Sequence, residues 1–372
     1  MDIQSKKKSL WGSFKNTYLR SKNLKKFWKN LRKDNLSRDL IDTLNLYINS
    51  ESYKMSSRYW RHLVINQLGL LADEKYNDKS NLIAQEYFTF SYINDSLIQD
   101  TFNNIKNNKI KIDVNLFKKQ DNFTISQSIN HNIILLMLYE NIKNKKIFNL
   151  FKSIKNDKNL DIKKPSLNID GIEFTQDELN SLLEYEEIDK LLNKIKSKDS
   201  NFLEIGSGEG RTAKMNLLIN KNIKKYVIAD IPPAINYCYN NLKSTFPQKK
   251  ISTAFNINNE NDLLKFMDQN DVIFIFPHQL KYFSKKTFDI SIAIDCLHEM
   301  EKNIIKEYMG IFELTSRSLY FKVWEKAGLP YSFNKYYSVH NKDDYFIKDA
   351  WKEHFKQRCL YPSNYFQLGY EF

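Results

Sequence analysis

Cysteine, proline and glycine are all scarce in this chain: three, seven and nine residues among 372. Cys238, Cys296 and Cys359 stand far apart with no Cys-x-x-Cys pair. Neither a disulfide framework nor a cysteine zinc site can be read from them, and a reducing compartment is the default. So little glycine and proline excludes a collagen-like or low-complexity chain, and 42% hydrophobic residues with 14% aromatics exclude a disordered one. No apolar run approaches the roughly 18 to 20 residues of a membrane span, and no apolar leader ends in a small-residue cleavage site. The expectation is a cytoplasmic globular protein, long enough for two modest domains.

Charge is present but unevenly placed. Lys and Arg exceed Asp and Glu by 57 to 44, a net of +13. Residues 1–33 hold eleven Lys and Arg against Asp2 alone, net +10, which leaves +3 for the other 339 residues. The body is therefore nearly balanced and is not shaped around nucleic acid. Within 1–33, Leu10, Trp11, Phe14, Tyr18, Leu24, Phe27, Trp28 and Leu31 recur at spacings near three and four. This predicts a basic amphipathic helix. Such a helix can pack on the body, lie peripherally on the anionic inner membrane face, or, least well, bind nucleic acid.

Residues 34–165 read as a mainly helical domain, with helix-spaced Ile133, Leu136, Met137 and Ile142. Arg58, Tyr59, Trp60, Arg61 and His62, followed by Tyr87, Phe88 and Phe90, form aromatic and cationic clusters. These suit either acceptor binding or an ordinary core. The polar run from Lys155 to Lys164 marks the boundary to a second domain, 166–372. There Thr175 to Glu178 matches a capping box, with apolar positions from Leu179 to Ile195 continuing at helical spacing. Beyond Asn201, short apolar runs alternate with helical stretches: 202–205, 226–229, 272–276, 290–294 and 319–323. That alternation predicts an α/β domain with a parallel sheet.

The first of these runs enters Glu204-Ile205-Gly206-Ser207-Gly208-Glu209-Gly210. Glycine at such a turn permits a positive φ and lets a ligand approach the backbone. A phosphate loop would need Gly-Lys-Ser/Thr, and a dinucleotide site G-x-G-x-x-G; the register here is G-x-G-x-G. That spacing is the pattern of S-adenosylmethionine (SAM) methyltransferases. Asp230 ends the next strand, 24 positions after Gly206, where a carboxylate can accept ribose hydroxyls. Ile231 follows it. Pro277 and His278, after the third strand, stand where adenine contacts belong, and Asp295 closes the fourth strand ahead of Cys296-Leu297-His298-Glu299-Met300.

Over about residues 200–325 these motifs, with Asp230-Ile231-Pro232-Pro233-Ala234 and Phe276-Pro277-His278-Gln279, resemble the sugar O-methyltransferase family of bacterial polysaccharide gene clusters. Ser57-Arg58-Tyr59-Trp60 and Tyr87-Phe88 are similar to its aromatic landmarks. The resemblance implies a Rossmann-like class I methyltransferase domain, SAM as cofactor, and a hydroxyl of a surface glycan or its lipid-linked precursor as acceptor. Glu204, Gly206, Ser207, Gly208, Gly210, Asp230, Ile231, Pro277, His278 and Asp295 are then the expected cofactor residues. For catalysis a base must remove the hydroxyl proton. His298, with Glu299 orienting it or binding the acceptor, is the first candidate, and His278 the second. His298 and Glu299 as strand and helix caps is the competing reading. Lys322, Trp324, Tyr336, Tyr337 and Trp351 are candidates for the acceptor side.

No close Asp-Asp pair stands where a Mg²⁺ site made from Asp230, Asp295 and Glu299 would want one, so a metal is not expected. An RNA or other small-molecule methyltransferase, and a non-catalytic scaffold that keeps the fold, are the rival readings. If residues 1–33 serve as a membrane anchor, their deletion abolishes sedimentation with anionic liposomes. Equal sedimentation with and without them removes that role.

Overall fold

The computed structural model describes residues 5–6, 37–57, 59–61, 64, 67–68, 125–157, 166–169, 171–332, 335–341 and 343–372. The amphipathic segment 1–33 lies outside the described residues apart from Ser5 and Lys6, the latter ion-paired with Asp42. Arg58, His62, Tyr87, Phe88 and Phe90 lie outside them too.

Among the described residues, α1 (Arg38–Ile48), α2 (Glu51–Met55), α3 (Ile125–Ile142) and α4 (Lys146–Asp157) precede the first strand. A hairpin follows, β1 (Ser166–Ile169) with β2 (Ile172–Thr175), and leads into α5 (Gln176–Lys194). The predicted capping box is present. Thr175 accepts from the Glu178 backbone N–H, and Glu178 accepts from the Thr175 backbone N–H. The same Glu178 carboxylate takes Lys155 of α4 at 2.6 Å, so one cap also ties α4 to α5.

Strands and helices then alternate as β3 (Ser200–Ile205), α6 (Arg211–Ile219), β4 (Ile223–Ala229), α7 (Ala234–Thr245), β5 (Ile251–Thr253), α8 (Glu260–Gln269) and β6 (Val272–Ile275). After β7 (Phe288–Ile294) come α9 (Lys302–Thr315), β8 (Ser316–Trp324), a hairpin of β9 (Lys326–Ser332) and β10 (Lys335–Asn341), then β11 (Lys352–Arg358) and β12 (Tyr365–Glu371). One eight-stranded sheet has the order β5-β6-β4-β3-β7-β8-β12-β11. From β5 to β8 every pairing is parallel; β12 runs antiparallel to both of its neighbours.

The inner strands are apolar on both sides because both sides are covered. Phe202, Tyr226, Ile228, Phe274, Ile290 and Ile292 face a core shared with α3, α4, α5, α6 and α7. Their sequence neighbours Leu203, Val227, Ile273 and Ala293 point the other way, into a second core with α8 and α9. Helices at 125–157 thus bury their apolar faces in the same core as the sheet. From β3 the chain moves outward to β4 and β6, then returns to β7 on the other side. The carboxyl ends of β3 and β7 therefore diverge, and a crevice opens there.

Thr175→Ala removes one half of the reciprocal cap and lowers unfolding stability by about 1 kcal/mol. The urea midpoint, at unchanged slope, measures it.

Candidate functional site

Past Ile205 the chain turns through Gly206, Gly208 and Gly210 at φ of 67°, 58° and 88°, the left-handed region that side chains resist. At Gly206 a Cβ would stand 2.6 Å from the Cys296 Cβ, so the glycine lets the turns after β3 and β7 touch. At Gly208 a Cβ would meet nothing within 4 Å, because the turn faces open space. Asp230, just beyond β4, holds this turn. Its Oδ2 accepts the Gly208 N–H at 2.9 Å and the Ser207 hydroxyl at 3.3 Å, and its Oδ1 accepts the Ile231 N–H at 2.7 Å. Burial raises its carboxyl to about 7 against the lowering effect of those donors.

A cleft of about 360 Å³, counted out to its open mouth, lies over these strand ends. Its floor is Ile205, Gly206, Ala229, Asp230 and Ile231, with Pro277 on one side and Met300, Ile304 and Tyr308 on another. Met55, Ser56, Ser57 and Trp60 form the remaining wall. Beyond β6, Gln279 folds back to fix the turn: Oε1 accepts the Phe276 N–H, and Nε2 donates to the carbonyls of Ala254 and Ile257. His278 faces Ser52 instead of the cleft. Its backbone N–H donates to Ser52 Oγ at 2.8 Å, and its Nδ1 lies 2.9 Å from the same oxygen.

Beyond β7, Asp295 adopts φ of 59°, uncommon for a residue other than glycine, and its Oδ1 is buried without a hydrogen-bond partner. A single 3₁₀ turn, Leu297–Glu299, comes next. The expected pairing of Glu299 with His298 is not formed: no hydrogen bond joins the two side chains among the described residues. His298 packs against Trp324 and Tyr365, with ring centroids 5.6 and 5.7 Å away, and its Nδ1 has no partner. Burial, then His340 and Lys322, push its pKa down to about 3, which makes it a neutral and weak base. Glu299 goes the opposite way, to about 8, through burial and then the nearby carboxylates of Asp295 and Asp230.

Glu204 is not at the cleft. It accepts a short hydrogen bond from Tyr226, whose hydroxyl also accepts from Asn216 of α6, and so it fixes the helix to the sheet. Burial pushes its carboxyl up to about 7. Gly206, Asp230, Ile231 and Pro277 line the cleft; Ser207 and Gly208 reach it through Asp230, and Gly210 caps α6.

Sequence pattern does not single out Tyr308, Met55, Ser52 or Glu184. Glu184 carried a usable signal, a charge four residues before the apolar Ile188 on one helix face. It lies buried between two cations. Arg211 Nη2 donates to Oε1 at 3.0 Å while Nη1 donates to Oε2, and Lys322 Nζ donates to Oε1 at 3.0 Å. Asp295 stands 3.8 Å from Arg211 Nη2. Burial pulls the Glu184 pKa up, but Arg211 and Lys322 pull it further, leaving it below the ordinary value. Trp351 packs on Phe372 and Tyr370, in the core. The side chains of Tyr336 and Tyr337 lie outside the described residues. No group of three or more His, Cys, Asp or Glu placed to hold a metal ion occurs among the described residues. No described helix is long and apolar enough to cross a membrane.

The parallel order around β3, the reversed β12 inside the edge strand and the crevice at the switch point make this a Rossmann-like, doubly wound α/β fold. No protein-family model and no curated protein matches the sequence. Among solved structures, magnesium protoporphyrin IX methyltransferase from Synechocystis, with bound SAM, is similar at 11% identity. The match covers 62% of this chain and 93% of that one, with a TM-score of 0.35. A SAM-dependent methyltransferase from Clostridium acetobutylicum is 8% identical over 51% of this chain and 90% of its own, TM-score 0.35. The methyltransferase domain of a bacterial Hen1 protein is 13% identical over 52% and 100%, TM-score 0.33.

The two glycines separate packing from access. Gly206→Ala forces its Cβ into Cys296 and lowers the thermal midpoint by several degrees. Gly208→Ala, strained only by its φ, lowers it by less, about 1 kcal/mol in stability. Equal losses in calorimetric melting contradict the geometry.

Proposed function

We propose that this protein is a SAM-dependent methyltransferase acting on a hydroxyl, and that the hydroxyl belongs to a sugar of a surface glycan or its precursor. The observation that carries the cofactor is the pairing of Asp230 with the Gly208 turn. A buried carboxylate stands beside backbone that faces open space, at the switch point where nucleotide-type ligands of open α/β sheets collect. SAM, when bound, supplies an electrophilic methyl group. Asp230 is the residue to accept the ribose hydroxyls, and Pro277 gives the adenine an apolar side.

Glu299 suits the role of base better than either histidine candidate: His278 faces Ser52, and His298 is a neutral, weak base. With a pKa near 8 Glu299 takes up a proton close to neutral pH, as general-base catalysis requires, whereas a pKa near 3 deprives His298 of that capacity. Asp295 and Asp230 keep Glu299 proton-hungry without themselves having to touch the acceptor. Trp324, half-buried beside His298 and Tyr365, is the ring on which an acceptor's apolar face can rest. The sugar rests on the motif resemblance, to which these carboxylates and this ring are chemically suited. The basic segment 1–33 would bring such an enzyme to the membrane surface where lipid-linked glycans are built.

Calorimetry with S-adenosylhomocysteine tests the cofactor. Micromolar binding is expected, with loss in Asp230→Ala and none for NAD. The sign of the pH dependence follows from Asp230. Ribose hydroxyls donate to its ionised form, so binding below pH about 7 expels a proton, and affinity rises with pH by at most about tenfold per unit before levelling above 7. Asp230→Asn flattens that profile. Glu299→Gln keeps cofactor binding and slows transfer by about 10² to 10⁴. No binding by the unmodified protein sinks the methyltransferase reading.

A further inference from the structure

The segment from Ser52 to Trp60 comes from the helical N-terminal part of the chain, yet it is fastened to two of the turns that make the cleft. At one end Ser52 holds the turn after β6 through His278. Near the other, the Ser57 hydroxyl donates to the Glu299 carbonyl at 3.0 Å and accepts the Trp60 backbone N–H at 3.1 Å. The oxygen that anchors Trp60 is thus the one that anchors the turn carrying Glu299. Just before this segment two further ties hold the chain down: Lys281 pairs with Glu51, and Asn236 Nδ2 donates to Thr43 Oγ1 at 3.0 Å.

Trp60 ends this segment against the glycine turn, its ring tip 3.9 Å from where a Gly206 Cβ would stand, and it lines the cleft beside that turn. Its Nε1 is buried and makes no hydrogen bond. A buried donor without an acceptor is unfavourable and rare in native proteins. The neighbouring side-chain donors of the segment are already engaged: Ser56 Oγ with the Ser52 carbonyl and Ser57 Oγ with that of Glu299. On the opposite side the cleft offers Asp230 on its floor, whose two oxygens already accept from Ser207, Gly208 and Ile231 and present no N–H to a ligand's anionic group.

We propose that Trp60 is a cofactor-contacting residue, its indole closing the cleft over the ligand and its N–H donating to the carboxylate of the ligand's amino-acid portion. Ser57 is the positioning residue that sets it there. This rests on the reading of the cleft as a SAM site. It gives the N-terminal segment a share in cofactor binding.

The test compares two neutral-sulfur probes on the full chain by calorimetry: S-adenosylhomocysteine, and 5′-methylthioadenosine, which has the same adenosine but no amino-acid portion. Trp60→Phe keeps a ring and removes the N–H. It is expected to weaken S-adenosylhomocysteine about ten- to a hundredfold, the range of one buried hydrogen bond to a charged group, and to leave methylthioadenosine unchanged. Ser57→Ala should weaken S-adenosylhomocysteine in the same selective way, with Ser57→Thr restoring it, so the inference stays testable if Trp60→Phe folds poorly. Wild-type affinity in both Trp60→Phe and Ser57→Ala, or an equal loss for both probes, overturns the assignment. If the unmodified protein binds neither probe, the cofactor reading itself has failed, an outcome distinct from either of these.

Discussion

Glu184 is the point on which the geometry of the crevice hangs. One carboxylate, buried at 3% exposure, takes Arg211 from the first turn of α6 and Lys322 from near the end of β8, two residues 111 positions apart in sequence. Arg211 directly follows the glycine turn, and Lys322 accepts the Asp295 N–H with its carbonyl at 3.0 Å. The elements that carry the glycine turn and the end of β7 are therefore held by one anion. Buried pairs of this kind contribute little net stability, because desolvation offsets attraction, but removing one partner costs about 3 to 5 kcal/mol by stranding the other charge. What such a cluster supplies is a fixed geometry. α5, which leads into the sheet, provides it, so the site depends on a helix that contributes nothing to the cleft lining.

The same low-dielectric surroundings set the proton chemistry. Asp230, Glu299 and Glu204 all have their pKa raised, chiefly by burial, while Glu184 goes down because two cations face it. Carboxylates a short distance apart are thus divided into a permanent anion and groups that exchange protons near neutrality. Asp295 also has its carboxyl raised, by burial against the pull of Lys322 and Arg211. Its left-handed backbone stores about 1 to 3 kcal/mol of strain, retained where the turn after β7 must bend toward Gly206. A cationic sulfonium entering this cleft would meet charge that is created on demand, which costs the empty protein less than burying several bare anions.

Much of this was legible in the sequence, and the reasons are local. The capping box at Thr175, the start of α6 at Arg211 and the strands around 202–205, 226–229 and 290–294 are each written in a few adjacent residues. Gly206, Gly208 and Asp230 were readable because a turn of that kind needs those residue types at that spacing. β11 and β12 were not. β11 lies at a sheet edge, exposed except at the adjacent His354 and Phe355, so it shows no period-2 pattern, and β12 is placed only by pairing with β8. The roles of His298 and Glu299 were also hidden, since adjacency in sequence says nothing of which way two side chains leave a 3₁₀ turn. Glu204 looked like a ligand because it sits in the motif, yet strand alternation sends it to the Tyr226 face, away from Ile205 and the cleft.

The long-range contacts explain why the N-terminal part resisted reading. Ser52 meets His278 across 226 positions and Ser57 meets Glu299 across 242, through single hydroxyls that no periodicity announces. A segment rich in aromatics and cations invites interpretation as a separate binding module. Its hydrogen bonds instead bring Met55, Ser56, Ser57 and Trp60 into the wall of the sheet's own crevice. A division of labour in which one domain holds the cofactor and another the acceptor is then too simple. The crevice is completed by residues from both halves, so an acceptor that moves this segment would also alter the grip on the cofactor, and each ligand would change the other's affinity by the same factor.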